Sequence, residues 1–387
     1  MNSVSRLSKS AFVILFSVMF SPCAVFAQHY TQTNLVSDVV GAAPVHDPSL
    51  VNPWGLTRST TSPWWVSNNN SGTSTLYTGT GQTVPINGNG IVTIPPPKNA
   101  PAGTVAAPTG IVFNGSTDFV LPAPNGKPAA FIFATEDGTI SGWNGGPAAF
   151  LAVDNNDKGS ANGAVYKGAT SADINGKRFL YVTNFRAGRV EVYDTNFKPV
   201  NLPGDAFDPG ADGEHDGDDD PGGQRIPAGF APFNIQNIGG SLFVTYAKQD
   251  AQRHDDVAGD GNGFVEIFTP SGKHIGHLEH GSWLNSPWGV VWTPRDFGEF
   301  SNTILVGNFR SGWIAAFNGF TRKFIGFVKN PDDSILKIDG LWSLAFGNGA
   351  TAGPANTLFF SSGPAEEAHG LFGTLTAVAA EQDGDEE

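Results

Sequence analysis

The chain has 387 residues, of which 22 are basic and 36 acidic, for a net charge of −14. That balance argues against tracking a phosphate backbone, and a 40% apolar content with 9 Trp, 6 Tyr and 29 Phe argues against disorder. The 49 Gly and 27 Pro follow no collagen period; long helices tolerate such a load badly and short strands joined by turns require it, so an all-β protein is expected.

Arg6 and Lys9 precede an apolar run at residues 11–20, and Val25, Phe26 and Ala27 stand where a signal peptidase reads small or modest side chains. Residues 1–27 are therefore expected to be a cleaved signal peptide, with the mature chain exported to the periplasm or outside the cell. The run is too short to span a bilayer comfortably, and no other stretch approaches the roughly 20 apolar residues a span needs. No membrane span and no nucleic-acid partner are expected, and the mature chain should be a monomer. Cys23, the only cysteine, lies inside the removed segment, so disulfides and a thiol nucleophile are both excluded from the mature chain.

Residues 30–40 are strand-like and have no internal copy. After them one phrase occurs six times: Pro53-Trp-Gly-Leu56, Pro108-Thr-Gly-Ile111, Tyr166-Lys-Gly-Ala169, Pro232-Phe-Asn-Ile235, Pro287-Trp-Gly-Val290 and Leu341-Trp-Ser-Leu344. Its third position falls at 55, 110, 168, 234, 289 and 343. Each phrase is followed by an apolar strand, a small polar turn and a second strand, most plainly at residues 180–194 and 304–318, which match almost letter for letter. A unit of this length holding several short strands fits a four-stranded propeller blade. The expectation is a single six-bladed β-propeller over residues 28–380, with blades near 52–106, 107–162, 163–225, 226–283, 284–335 and 336–378. The sixth copy runs out one strand short, so residues 30–40 should supply the missing outer strand and close the ring. Residues 381–387 form an acidic tail.

Two loops are acidic. Residues 204–224 hold Asp212-x-Glu214-x-Asp216-Gly217, which opens like a calcium loop, but the twelfth position is Gly223 where a bidentate Glu belongs. A solvated insertion between the third and fourth blades is the favoured reading. Residues 253–263 add Asp255, Asp256 and Asp260. No phosphate loop, zincin helix or Gly-x-Ser-x-Gly elbow occurs.

Asn52-Pro-Trp-Gly-Leu56, Ala231-Pro-Phe-Asn-Ile-Gln236, Tyr246-Ala-Lys-Gln-Asp250, Asp339-Gly-Leu-Trp342, Phe346-Gly-Asn348 and His369-Gly-Leu-Phe-Gly373 together resemble a family of uncharacterised exported bacterial propellers. That family is related at a distance to six-bladed NHL-type repeats. The resemblance spans roughly the whole mature chain and implies fold and export, with no assigned reaction. Some members carry a C-terminal Pro-Glu-Pro sorting segment, whereas this chain shows Glu381-Gln-Asp-Gly-Asp-Glu-Glu387, so anchoring by that route is not expected.

In rings of this type the turns between second and third strands, and the lead-ins to first strands, open onto one face around the axis. Those turns carry Asn68, Glu136 with Asp137, Asn184 with Arg186, Lys248-Gln249-Asp250, Asn308 with Arg310, and Glu366-Glu367 with His369. Trp54, Trp288 and Trp342 come from the lead-ins. Lys248, Gln249, Asp250, Glu366, His369 and the three Trp are the ligand-binding candidates; a Trp in such a phrase is more often a packing wedge between blades than a ligand platform. Asn68, Asp137, Asn184 and Asn308 are candidate oxygen ligands for calcium, of the sort lactonase-like propellers use, although Asn at such turns more often caps the turn itself. Two functions follow: an exported binding or scaffold module for an extracytoplasmic ligand or partner, or a calcium-dependent lactonase-like hydrolase or lyase at the central axis. In either case residues 248–250 should meet 366–369 across the axis opening, with Trp288 as a wall.

Overall fold

The computed structural model describes residues 28–379 apart from 87, 89, 157–161 and 211–225. The expected signal peptide, the calcium-like stretch at 212–223 and the acidic tail lie outside the described residues. Six sheets stand in a ring, antiparallel except for one short outer pairing, and no α-helix occurs among the described residues. The first blade comprises β3 (Pro53–Thr57), β4 (Trp64–Asn68), β5 (Thr73–Tyr77) and β6 (Ile91–Thr93). The second runs β7 (Pro108–Phe113), β8 (Phe131–Thr135), β9 (Thr139–Trp143) and β10 (Phe150–Asp154). The third runs β11 (Tyr166–Ile174), β12 (Lys177–Asn184), β13 (Arg189–Tyr193) and β14 (Pro199–Val200), and the fourth β15 (Phe230–Ile238), β16 (Ser241–Lys248), β17 (Gly263–Phe268) and β18 (His274–His277). The fifth holds β19 (Pro287–Trp292), β20 (Thr303–Asn308), β21 (Ile314–Asn318) and β22 (Phe324–Phe327).

The sixth blade has only β23 (Leu341–Phe346), β24 (Leu358–Ser362) and β25 (Leu371–Ala379) from its own copy of the repeat. Its outer strand is β1 (Gln28–Ser37), paired antiparallel to β25 from Gln28 opposite Ala379 to Ser37 opposite Leu371. A two-residue strand, β2 (Val45–His46), adds a fifth member on the outside. The closing strand also reaches the fifth blade, because Tyr30 donates its amide to Lys329 and its hydroxyl to the Phe297 carbonyl at 2.7 Å.

Each copy of the repeated phrase is a β-bulge in the innermost strand. The register slips between Pro53 and Leu56, Pro108 and Ile111, Tyr166 and Gly168, Pro232 and Asn234, Pro287 and Val290, and Leu341 and Leu344. A bulge re-aims the side chain it carries. The glycine after it is a packing requirement: a Cβ on Gly55 would lie 2.5 Å from the Thr109 carbonyl, and one on Gly110 would lie 2.4 Å from the Ala169 amide. The inner strands of the first and second, second and third, and fifth and sixth blades therefore meet backbone to backbone.

Six hydrophobic clusters fill the spaces between successive blades and a seventh fills the axis. Strands buried on both faces explain why the apolar runs are continuous rather than alternating: Trp64 enters the core shared with the sixth blade and Trp65 the core shared with the second. Burying side chains of this size stabilises by roughly 1.5–3 kcal/mol each.

Candidate functional site at the axial mouth

The second residue of the six phrases is Trp54, Thr109, Lys167, Phe233, Trp288 and Trp342, and all six are buried. Four are aromatic and form, with Phe185 and Phe309, a plug across the axis. Trp54 stacks on Trp342 with ring centroids 3.5 Å apart, Phe309 stacks on the same indole at 3.8 Å, and Trp288 meets Trp54 edge-on. Trp54, Trp288 and Trp342 are each at most 3% exposed, so their rings serve as packing and offer no open face to a ligand. The Trp288 and Trp342 indoles donate to Lys167 O and Asn52 Oδ1, whereas Trp54 Nε1 has no partner among the described residues. On the other side of the plug a pit of about 260 Å³ is lined by residues of all six blades, among them Gly110, Asn234 and Ser343.

Lys167 is the exception in this ring of phrases. Its ammonium lies 5.1 Å from the Trp54 ring centroid and 5.8 Å from that of Phe185, and it donates to Glu136 Oε1 and, at 3.1 Å, to Asp255 Oδ1. Burial alone would lower its pKa, but the two carboxylates outweigh it and hold the group above its ordinary value. Glu136 accepts a second bond from Asn69 Nδ2 at 2.7 Å, and Asp255 accepts one from His254 Nδ1 at 2.9 Å. The His254 hydrogen bond, with the Lys167 charge, keeps the Asp255 carboxyl well below the usual range, and the same bond raises His254.

These contacts continue around the mouth. Asn69 of the first blade binds Glu136 of the second, Glu136 binds Lys167 of the third, and Lys167 binds Asp255 of the fourth. The adjacent Asp256 takes a forked pair from Arg310 of the fifth, at 2.7 and 2.9 Å. Glu367 of the sixth accepts from Asn52 Nδ2 at 3.0 Å, and its carbonyl accepts from Asn70. The Glu367 carboxyl is raised by burial and by the Glu136 charge, against the lowering effects of Asn52, Lys167 and Arg310. Asp137, its Oδ2 on the Ala107 amide, is likewise raised, chiefly by burial.

The turns expected to open on this face do so, but the residues that reach the centre differ in part from those singled out. Lys248 is exposed. Gln249 reaches sideways to the Phe185 carbonyl, and Asp250 accepts the His254 amide within its own turn. The residues of that turn at the mouth are Asp255 and Asp256. Glu366 is exposed, His369 is held outward by Asp38 at 3.0 Å, and Glu367 between them faces inward. Asn184 caps its turn by accepting the Ala187 amide, Asn308 accepts the Asn285 amide, and Asn68 donates to Thr73 and Thr75. Lys167 had a signal in the sequence: it is the charged residue at a phrase position that four other copies fill with an aromatic ring.

No family model matches the chain. Uncharacterized protein R648 of Acanthamoeba polyphaga mimivirus is 30% identical over 355 residues, spanning 88% of this chain and 78% of its own length. The chain belongs to the family of R648. Protein L690 of the same virus is 28% identical over 342 residues, spanning 85% of this chain and 81% of its own length. The family thus includes mimivirus proteins. Solved structures with a distant likeness include virginiamycin B lyase from Staphylococcus aureus, at TM-score 0.45 and 11% identity over 91% of this chain and 100% of that one. The PQQ-bound aldose sugar dehydrogenase from Streptomyces coelicolor has TM-score 0.46 and 12% identity over 90% and 98% of the two chains.

Proposed function

We propose that this protein is an exported binding module whose axial mouth holds an extracytoplasmic ligand rich in hydroxyl and amine donors, such as an amino-sugar polymer. One observation carries the reading: carboxylates from several blades gather at the mouth beyond what the cations there neutralise. Lys167 is shared by Glu136 and Asp255, and Arg310 is engaged by Asp256. Glu367 and Asp137 add two further carboxyls, both shifted upward mainly by burial. Such shifts concentrate where a site waits for a partner. The amides of Asn52, Asn69 and Asn70 stand beside them.

Backbone strain supports the same reading. Ala365, Glu366 and Glu367 all have left-handed backbones, with φ of 56°, 54° and 67°, a conformation that costs non-glycine residues on the order of 1–3 kcal/mol each. That turn aims Glu367 inward. A calcium-dependent hydrolase is less well supported, because the Lys167 ammonium occupies the position between Glu136 and Asp255 that a hard cation would need. Export rests on the leader-like residues 1–27.

Calorimetric titration with glucosamine oligomers, neutral cello-oligomers and acidic uronate oligomers tests the proposal. Binding should be strongest for the glucosamine series. Equal binding of the uronate series, or no heat from any of the three, refutes it.

A further inference from the structure

A second group of side chains lies away from the axis, in the outer half of the fourth blade. β17 and β18 pair Glu266 with His277 and Ile267 with Gly276, and then the register slips so that Phe268 faces His274. In a regular strand, residues three apart point to opposite faces. The extra residue, Ile275, cancels one step, so His274 and His277 fall on the same face as Glu266. Arg322 of the fifth blade donates to the Ile275 carbonyl at 3.0 Å and helps hold the bulge.

The consequence is two imidazoles and a carboxylate whose coordinating atoms all lie within 4.8 Å of one another. Glu266 and His274 are buried, joined by a 2.7 Å hydrogen bond from His274 Nε2 to Glu266 Oε2, and the His274 ring rests edge-on against Phe268. Tyr246 belongs to the same face, two residues along the strand from Val244, which is the cross-strand partner of Glu266. Its buried hydroxyl has no hydrogen-bond partner among the described residues.

We infer that Glu266, His274 and His277 form a binding site for a divalent transition metal of the zinc class. Nitrogen from two imidazoles and one carboxylate oxygen suit zinc and its neighbours, whereas calcium asks for six or more oxygens. Zinc ligands lie about 2.0–2.2 Å from the metal, which in a tetrahedron separates them by about 3.3 Å, within a small side-chain adjustment of the present spacing. Three protein ligands leave the fourth position to water or another donor. On binding, His274 presents the Nε2 lone pair to the metal with its ring proton on Nδ1, and Glu266 exchanges its hydrogen bond for a metal bond.

The full chain, stripped with chelator and titrated with zinc by calorimetry, tests the inference. One zinc should bind with micromolar or tighter affinity and raise the melting temperature. His277→Ala, which leaves the Glu266–His274 pair in place, should weaken binding at least tenfold. Absence of zinc binding, or undiminished binding by His277→Ala, overturns the inference. So does loss of binding in His254→Asn with His277→Ala unaffected, which moves the ion to Glu136, His254 and Asp255. Calcium producing the same affinity as zinc would also contradict the donor-set argument.

Discussion

The ammonium of Lys167 lies 5.1 Å from the centre of the Trp54 ring, at the boundary between the aromatic plug and the polar mouth of the propeller. The plug supplies a close-packed aromatic floor, and the ammonium gives that floor a charge to which the carboxylates of two other blades are tied. Lys167 thus links the packing of the axis to the chemistry of its opening.

Replacing Lys167 with Met should remove about 3–5 kcal/mol of stability, because Glu136, only 12% exposed at its side chain, loses its counter-charge. Asp255 is 59% exposed and can return to water. Adding Glu136→Gln should therefore restore most of the loss, to within about 1–2 kcal/mol of the parent. Urea unfolding of the two variants and of Glu136→Gln alone closes the cycle.

Glu367→Gln should stabilise the protein at neutral pH. Burial comes first among the causes that raise this carboxyl above its ordinary value of 4.5, so the folded state binds the proton more tightly than the unfolded state does. Its favourable contribution is fully present below about pH 4.5 and is lost as pH rises through the higher folded value. The amide mimics the protonated form, so the gain in melting temperature should be absent in acid and should grow toward neutrality. A gain confined to acid, or a loss at pH 7, contradicts the assignment.

Gly110→Ala should destabilise by about 1–3 kcal/mol or more, because the new methyl meets the backbone of Ala169 in the next blade, which cannot turn aside. Gly188→Ala, on an open turn at φ 66°, should cost only about 1 kcal/mol of backbone strain. Thermal unfolding of the pair separates axial packing from turn geometry.

Tyr30→Phe tests the closure of the ring. The hydroxyl donates to the Phe297 carbonyl at 2.7 Å and accepts the Phe300 amide at 3.1 Å, both buried. Losing it should cost about 1–3 kcal/mol, since the Phe300 amide is left unpaired. The rate of unfolding should rise in a stopped-flow assay.

The ring was legible in the sequence because each blade spells the same bulge, and because the last copy lacks a strand that residues 30–40 resemble. The turns facing the mouth were legible for the same reason. Which side chain of a turn points inward depends on left-handed residues such as Glu366 and Glu367 and on hydrogen bonds such as that of Gln249 to Phe185, which no repeat spacing encodes. The tryptophans are aromatic at the phrase's bulged position, and only the closed ring shows that they face one another. Asp255 sits in the acidic loop at 253–263, and its role appears once the third blade brings Lys167 beside it. His274 and His277 read as opposite faces of a strand until the slip at Ile275 is known.

Under the proposed function, Glu367 serves a ligand rather than the fold. Titrating glucosamine oligomers into the parent and into Glu367→Gln at pH 7, with both proteins shown to be folded, tests it most directly. At least a tenfold loss of affinity is expected in a variant whose melting temperature is higher than the parent's. Unchanged affinity accompanied by a fall in melting temperature would show that Glu367 belongs to the fold alone.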